Sequence, residues 1–235
     1  VPAIKGLPIS ISMEPTTSCN LRCPECPSGL RAFTRPTGML DPKLFQRVID
    51  ELAPFLSYLT FYFQGEPYLN PSFLDMVSYA SARGIYTATS TNAHYLTEES
   101  ANRTVSSSLD RLIISIDGTT QETYQSYRIG GTLEKVIQGT KNIVSAKKRL
   151  RSRTPHVVFQ FLVVGPNEHQ ITEVHKLARE LGVDQVLLKT AQINSFVNGS
   201  PLIPADDRYS RYKKNGDDTW SLKNSFDDHC WRMWH

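Results

Sequence analysis

Residues 58–71 read Tyr58-Leu59-Thr60-Phe61-Tyr62-Phe63-Gln64-Gly65-Glu66-Pro67-Tyr68-Leu69-Asn70-Pro71. The first six are aromatic or apolar with one threonine, a composition that favours a strand. A turn bearing Gly65 and Pro67 follows. Asn70-Pro71 then opens a helix that Gly84 closes, since proline suits a helix start and glycine a helix end.

The same strand, turn and helix grammar recurs on both sides. Strands are expected at about 9–14, 58–63, 85–90, 111–116, 157–164 and 185–189. Between them, Leu44, Phe45, Val48, Ile49 and Leu52 share a helical face introduced by Asp41 and Pro42. A weaker helix covers 97–106, and another covers 132–150 with Leu133, Val136, Ile137, Ile143 and Val144 on one side. A further helix carries Ile171, Val174, Leu177, Ala178 and Leu181 before Gly182. Six βα repeats imply an α/β protein with a parallel sheet and crossover helices. The unusual residues gather just after the strands: the cysteines after the first, Gln64-Gly65-Glu66-Pro67 after the second, Thr91-Asn92 after the third. Ser115 and Asp117 follow at the fourth, Gly165-Pro166-Asn167 at the fifth and Lys189-Thr190-Ala191-Gln192 at the sixth. A barrel brings all six ends to one rim, whereas an open sheet spreads them along an edge. The expected fold is therefore a partial (βα)6 TIM-like barrel with its site at the C-terminal rim. Residues 1–195 would form this barrel. Residues 196–235, rich in Asn, Asp, Ser, Pro and Lys, would form a linker and the start of a truncated extension.

Of the 235 residues, 40% are hydrophobic and 21% charged, which excludes a disordered chain. The apolar run at 156–164 is far shorter than the roughly 20 residues of a membrane helix, so no membrane association is expected. Twenty-six basic against twenty-three acidic residues, a net +3, give no reason to expect nucleic acid. The basic run at 147–153 reads as a solvated helix end. The opening residues lack the basic and apolar regions of a signal peptide, so the expected location is cytoplasmic. A first residue other than Met and an end at Trp234-His235 suggest a piece of a longer protein.

Three of four cysteines, Cys19, Cys23 and Cys26, lie within eight positions as C-x-x-x-C-x-x-C, in a loop that Pro24 and Pro27 should keep non-helical. Clustered thiols in a reducing compartment point to metal or redox chemistry. Structural zinc and conventional iron–sulfur cubanes each take four protein ligands. Three thiolates leave one iron of a [4Fe-4S] cluster for an exogenous molecule. The alternative is a zinc-stabilised, non-catalytic binding module completed by His94, His156 or Cys230. A thiol redox protein is disfavoured, because no C-x-x-C pair opens a helix in the way that acidifies a thiol.

This loop resembles the signature of the radical S-adenosylmethionine (radical SAM) enzymes. The resemblance implies that the unique iron binds the methionine amino and carboxylate groups of S-adenosyl-L-methionine. It further implies reductive cleavage to a 5′-deoxyadenosyl radical that abstracts hydrogen from substrate, an oxidoreductase or maturase-like activity. Gln64-Gly65-Glu66-Pro67 resembles the family's Gly-Gly-Glu-Pro motif, in which a backbone edge and the glutamate engage the methionine amino group; Gln64 departs from the usual glycine. Ser115-Ile116-Asp117-Gly118 resembles the fourth-strand motif that reaches the ribose or methionine. Arg128, in Tyr127-Arg128-Ile129-Gly130-Gly131, would partner the methionine carboxylate, and a surface arginine is the alternative. Asn92, Val164 and Asn167 would line the adenosine pocket, unless they satisfy buried loops. Glu25 stands where many relatives have an aromatic. Cys230-Trp231-Arg232-Met233-Trp234 resembles the opening of the auxiliary SPASM or twitch extension, so Cys230 would be the first ligand of an auxiliary iron–sulfur cluster in the full-length parent. Relatives of that type often modify peptides or proteins while others act on small molecules or alcohols, and an electron donor such as flavodoxin or ferredoxin is implied. No residue in the chain selects the substrate or marks a catalytic side chain.

Overall fold

The computed structural model describes residues 6–224. Six parallel strands lie side by side in the order of the sequence: β1 Ser10–Ser12, β2 Tyr58–Thr60, β3 Tyr86–Thr91, β4 Arg111–Ser115, β5 His156–Val163 and β6 Gln185–Thr190. Each strand pairs with its successor, so the sheet lacks the reversal of strand order that defines a doubly wound fold. Right-handed crossovers that never reverse place every connecting helix on one face. A sheet covered on one side curls around the other, and the result is a partial barrel, open between β1 and β6.

Strand alternation separates the two faces. Leu59, Phe61, Leu112, Ile114, Phe159 and Phe161 point outward into one continuous core with α2 (Pro42–Leu52), α3 (Phe73–Ser81), α4 (Glu98–Ser106), α6 (Leu133–Arg149) and α7 (Ile171–Leu181). Phe61 is fully buried and stacks on Phe45 with ring centroids 5.0 Å apart. Burial of one such side chain contributes roughly 2–3 kcal/mol. The opposite parity supplies Tyr62, Ser90, Ser115 and Gln160, which face the barrel interior near its C-terminal rim.

Local signals behave largely as expected. Asp41 Oδ1 accepts the Leu44 N–H at 2.8 Å to cap α2, and Thr97 Oγ1 accepts Ser100 N–H at 3.2 Å to cap α4. Gly84 and Gly182, at φ +74° and +75°, end α3 and α7. Other boundaries differ. Helix α3 begins at Phe73, because Asn70 turns its side chain to the Ser72 N–H and to the Pro15 and Leu40 carbonyls instead of capping a helix. Pro27 opens a short helix, α1 (Pro27–Leu30), as its first residue. A seven-residue helix, α5 (Gln121–Tyr127), was not expected; it buries only Tyr124 and Tyr127, too few for a periodic signal.

Residues 196–224 are more than a linker. They carry an antiparallel pair, β7 (Tyr212–Lys214) and β8 (Trp220–Leu222), and pack back on the barrel rim. Ile193, Ile203 and Tyr212 share a buried cluster with Leu21, Cys23 and Val164. The basic run lies in the last turn of α6, which leads into the start of β5, so it sits at the opposite end of the barrel from the cysteines; Lys147 pairs with Asp184 at 2.8 Å. Among the described residues, no helix is long and apolar enough to cross a membrane.

Candidate metal and cofactor site

A cavity of about 200 Å³ opens at the C-terminal rim, walled by Cys19, Cys23 and Cys26 on one side and by the ends of β2, β3 and β4 on the other. The three thiols are free. Their loop is held from several directions. Arg22 N–H donates to Ile129 O at 2.9 Å, and Glu25 accepts the Asn194 N–H at 2.8 Å. Glu25, the departure from the expected aromatic, thus ties the loop to the segment after β6. Below the loop, Gly65 has φ +79°, and a Cβ on it would stand 2.2 Å from Thr16 O. Only glycine permits this approach.

Glu66 is 1% exposed and lines the cavity. Its Oε1 accepts the Thr91 hydroxyl at 2.6 Å and Tyr68 N–H at 3.3 Å, while Oε2 accepts Asn92 N–H at 2.8 Å. Burial raises its pKa to about 7, against the pull of those hydrogen bonds. Burial also pushes the Cys19 and Cys23 thiols up, opposed by Leu21 N–H at Cys19 and by the Arg128 guanidinium at Cys23. This is the reverse of the acidified thiol that a disulfide-exchange protein requires.

Of the residues singled out from sequence, Gln64, Gly65, Glu66, Asn92, Ser115 and Arg128 meet at this cavity with the three cysteines. Four others stand behind it. Asp117 is fully buried and does not face the opening; it pairs with Arg128 Nε through Oδ2 and accepts Leu162 N–H at 2.8 Å through Oδ1. Val164 is buried in the apolar cluster under the cysteine loop. Pro67 is buried as the first residue of a 3-10 turn that Glu66 caps. Asn167 satisfies a loop, donating to the Asp117 and Leu162 carbonyls. Arg128 is not a surface arginine: against the cost of its burial, the Asp117 carboxylate together with Cys23, Tyr124 and Tyr127 raises its pKa well above the usual value. Sequence reading missed Tyr62, Ser90 and Gln160, whose inward parity just past β2 and on β3 and β5 was the available signal, and Phe63 and Ser28, which had none.

The residues fit a polyatomic cluster better than a zinc ion. Among the described residues, no three His, Cys, Asp or Glu side chains close on a single-ion position. His94 Nε2 accepts Thr132 N–H at 2.8 Å, which leaves Nδ1 to donate to Asn92 O at 2.9 Å, so both ring nitrogens are committed. His156 lies at the start of β5, the far end of the barrel. Cys230 lies outside the described residues.

The comparisons agree. A family model described as Radical SAM superfamily matches residues 13–178. The AdoMet-dependent heme synthase of Methanosarcina barkeri is 29% identical over 77% of this chain and 50% of its own length. The PqqA peptide cyclase of Gluconobacter oxydans is 29% identical over 86% of this chain and 55% of its own. The chain therefore spans about half the length of these curated relatives. Streptococcus suis SuiB, solved bound to S-adenosylmethionine, shares the fold with TM-score 0.67 at 14% identity, over 80% of this chain and 42% of that one. A match over residues 13–178 covers well over half of the chain, and the protein belongs to the radical SAM superfamily.

Proposed function

We propose that this chain is the catalytic barrel of a radical SAM enzyme that acts on a peptide or protein side chain. The observation that carries the reading is the meeting of three free thiols, Cys19, Cys23 and Cys26, with buried Glu66 on one cavity. In this reading the thiolates ligate a [4Fe-4S] cluster at three corners and S-adenosyl-L-methionine takes the fourth. When bound and reduced, the cluster supplies the electron that cleaves the sulfonium, giving the radical that removes hydrogen from substrate.

The chain's own residues position the cofactor. Glu66, held by Thr91, Tyr68 and Asn92, keeps acceptor capacity for the amino N–H groups of the methionine moiety. Arg128, pinned by Asp117, presents a guanidinium to the methionine carboxylate. Ser115 and Asn92 bring neutral polar groups for the ribose and adenine. Pro67, Asp117 and Val164 act by holding those groups in place. Ala191, Ile193, Ile203 and Tyr212 pack in one cluster with Leu21 and Cys23 and would shield that side of the cysteine loop from water.

The peptide substrate is supported by the relatives' names, a peptide cyclase and mycofactocin maturases, one of which (Mycobacterium ulcerans) is 32% identical over 59% of this chain. We further read residues 196–235 as leading into an auxiliary extension that begins near Cys230. The enzyme would be cytoplasmic and would take electrons from a flavodoxin or ferredoxin. Glu66→Ala tests the site: iron content should match the parent while S-adenosylmethionine affinity falls at least tenfold. Unchanged affinity would remove Glu66 from the account.

A further inference from the structure

One cysteine differs from the others in its neighbour. Cys26 Sγ lies 3.3 Å from Oε1 of Gln64, the residue that replaces a glycine in the motif. The same Oε1 is 3.3 Å from Ser28 Oγ. Ser28 is buried, accepts the Gly65 N–H at 3.0 Å and stands 3.3 Å from Thr17 O. This is the pattern for a protonated Cys26: both the thiol and the Ser28 hydroxyl donate to one carbonyl oxygen.

A half-turn of the Gln64 amide exchanges its oxygen for its nitrogen and completes a different network from the same atoms. One N–H then donates to Cys26 Sγ and the other to Ser28 Oγ. Ser28 accepts from Gly65 and Gln64 and turns its own proton to Thr17 O. Every donor has a partner, and the sulfur at Cys26 is an acceptor only, as a metal-ligating thiolate must be.

We propose that Gln64 is a positioning residue that donates an N–H to the Cys26 sulfur when that sulfur ligates the cluster, and that it raises the cluster's reduction potential. This inference rests on the three-cysteine reading above. The physical cause is charge: reduction adds an electron that delocalises onto the sulfurs, and a hydrogen bond to sulfur stabilises the more negative state. A glycine at position 64 has no side chain to make this contact. The proposal therefore predicts a cluster easier to reduce than the same cluster without the glutamine amide.

The test uses the chain reconstituted with iron and sulfide under anaerobic conditions, in the parent and in Gln64→Leu and Gln64→Met, two side chains of similar size without an N–H. The midpoint potential is read by redox titration of the reduced cluster's electron paramagnetic resonance signal, with iron counted in each sample. Full iron with a lower potential in either variant is expected. A potential equal to or above the parent's at full iron would overturn the proposal. So would loss of iron from both variants while the parent retains it, because Gln64 is given no ligand role. If the parent itself takes up no iron, the three-cysteine reading fails, an outcome distinct from a parent cluster whose potential ignores Gln64.

Discussion

The Asp117 carboxylate grips Nε of Arg128 from behind while Nη1 of the same guanidinium stands 3.7 Å from Cys23 Sγ. Asp117 is fully buried and the Arg128 side chain is 16% exposed, so the pair is shielded from solvent. Removing one partner leaves a charge without compensation in a poorly hydrated site.

Asp117→Asn should therefore lower stability by about 3 kcal/mol, with urea unfolding as the measurement. The double variant Asp117→Asn/Arg128→Met should recover part of that loss, since no lone charge remains. Equal stability of the parent and Asp117→Asn would show that the pair contributes nothing.

Gly65→Ala should destabilise by more than about 1 kcal/mol and reduce iron retention, because the methyl group collides with Thr16 O at a positive φ and pushes on the strand-to-cysteine connection. Gly38→Ala is the matched control, with open space around its Cβ position. Indistinguishable behaviour of the two variants would contradict the close approach.

Glu66 gives a pH signature in the metal-free protein. Its folded pKa, about 7, is above the ordinary 4.5. The folded state thus binds the proton more tightly, and the contribution to stability is fully present below about 4.5 and lost as pH rises through 7. Relative to Glu66→Gln, the parent should lose on the order of 3 kcal/mol across that window. A flat difference between the two would show that Glu66 is not buried as described.

His94 has the opposite sign. Burial depresses its pKa below 6.5, against the hydrogen bond to Asn92. The stability it contributes is present above about 6.5 and lost as pH falls through the folded value. His94→Gln should flatten that acid limb while iron uptake stays unchanged. Loss of a tightly bound zinc in this variant would instead revive the zinc module.

The barrel was legible because its strands and helices repeat one grammar six times, and residues such as Asp41, Thr97, Gly84 and Gly182 mark element ends through their own chemistry. Helix α5 and the β7–β8 pair left too few buried side chains to read. The cysteines, Gly65 and Glu66 were visible as spaced residue types. The second positions of Asp117 and Val164 were not, because lining a cavity and bracing its wall leave the same mark in a sequence. Strand parity was the signal left unread for the remainder: Tyr62, Ser90 and Gln160 share with Ser115 an inward face that alternation assigns once the core-facing residues are known.

The central claim is that three thiols hold a cluster that works on S-adenosylmethionine. Its most direct measurement is anaerobic reconstitution with counts of iron and sulfide, followed by addition of reductant and S-adenosylmethionine and assay of 5′-deoxyadenosine. The account predicts about four irons per chain, their loss when Cys19, Cys23 or Cys26 becomes alanine, and 5′-deoxyadenosine only when the cluster is present. One tight zinc without iron uptake, or a full cluster that leaves S-adenosylmethionine intact under reduction, would contradict it.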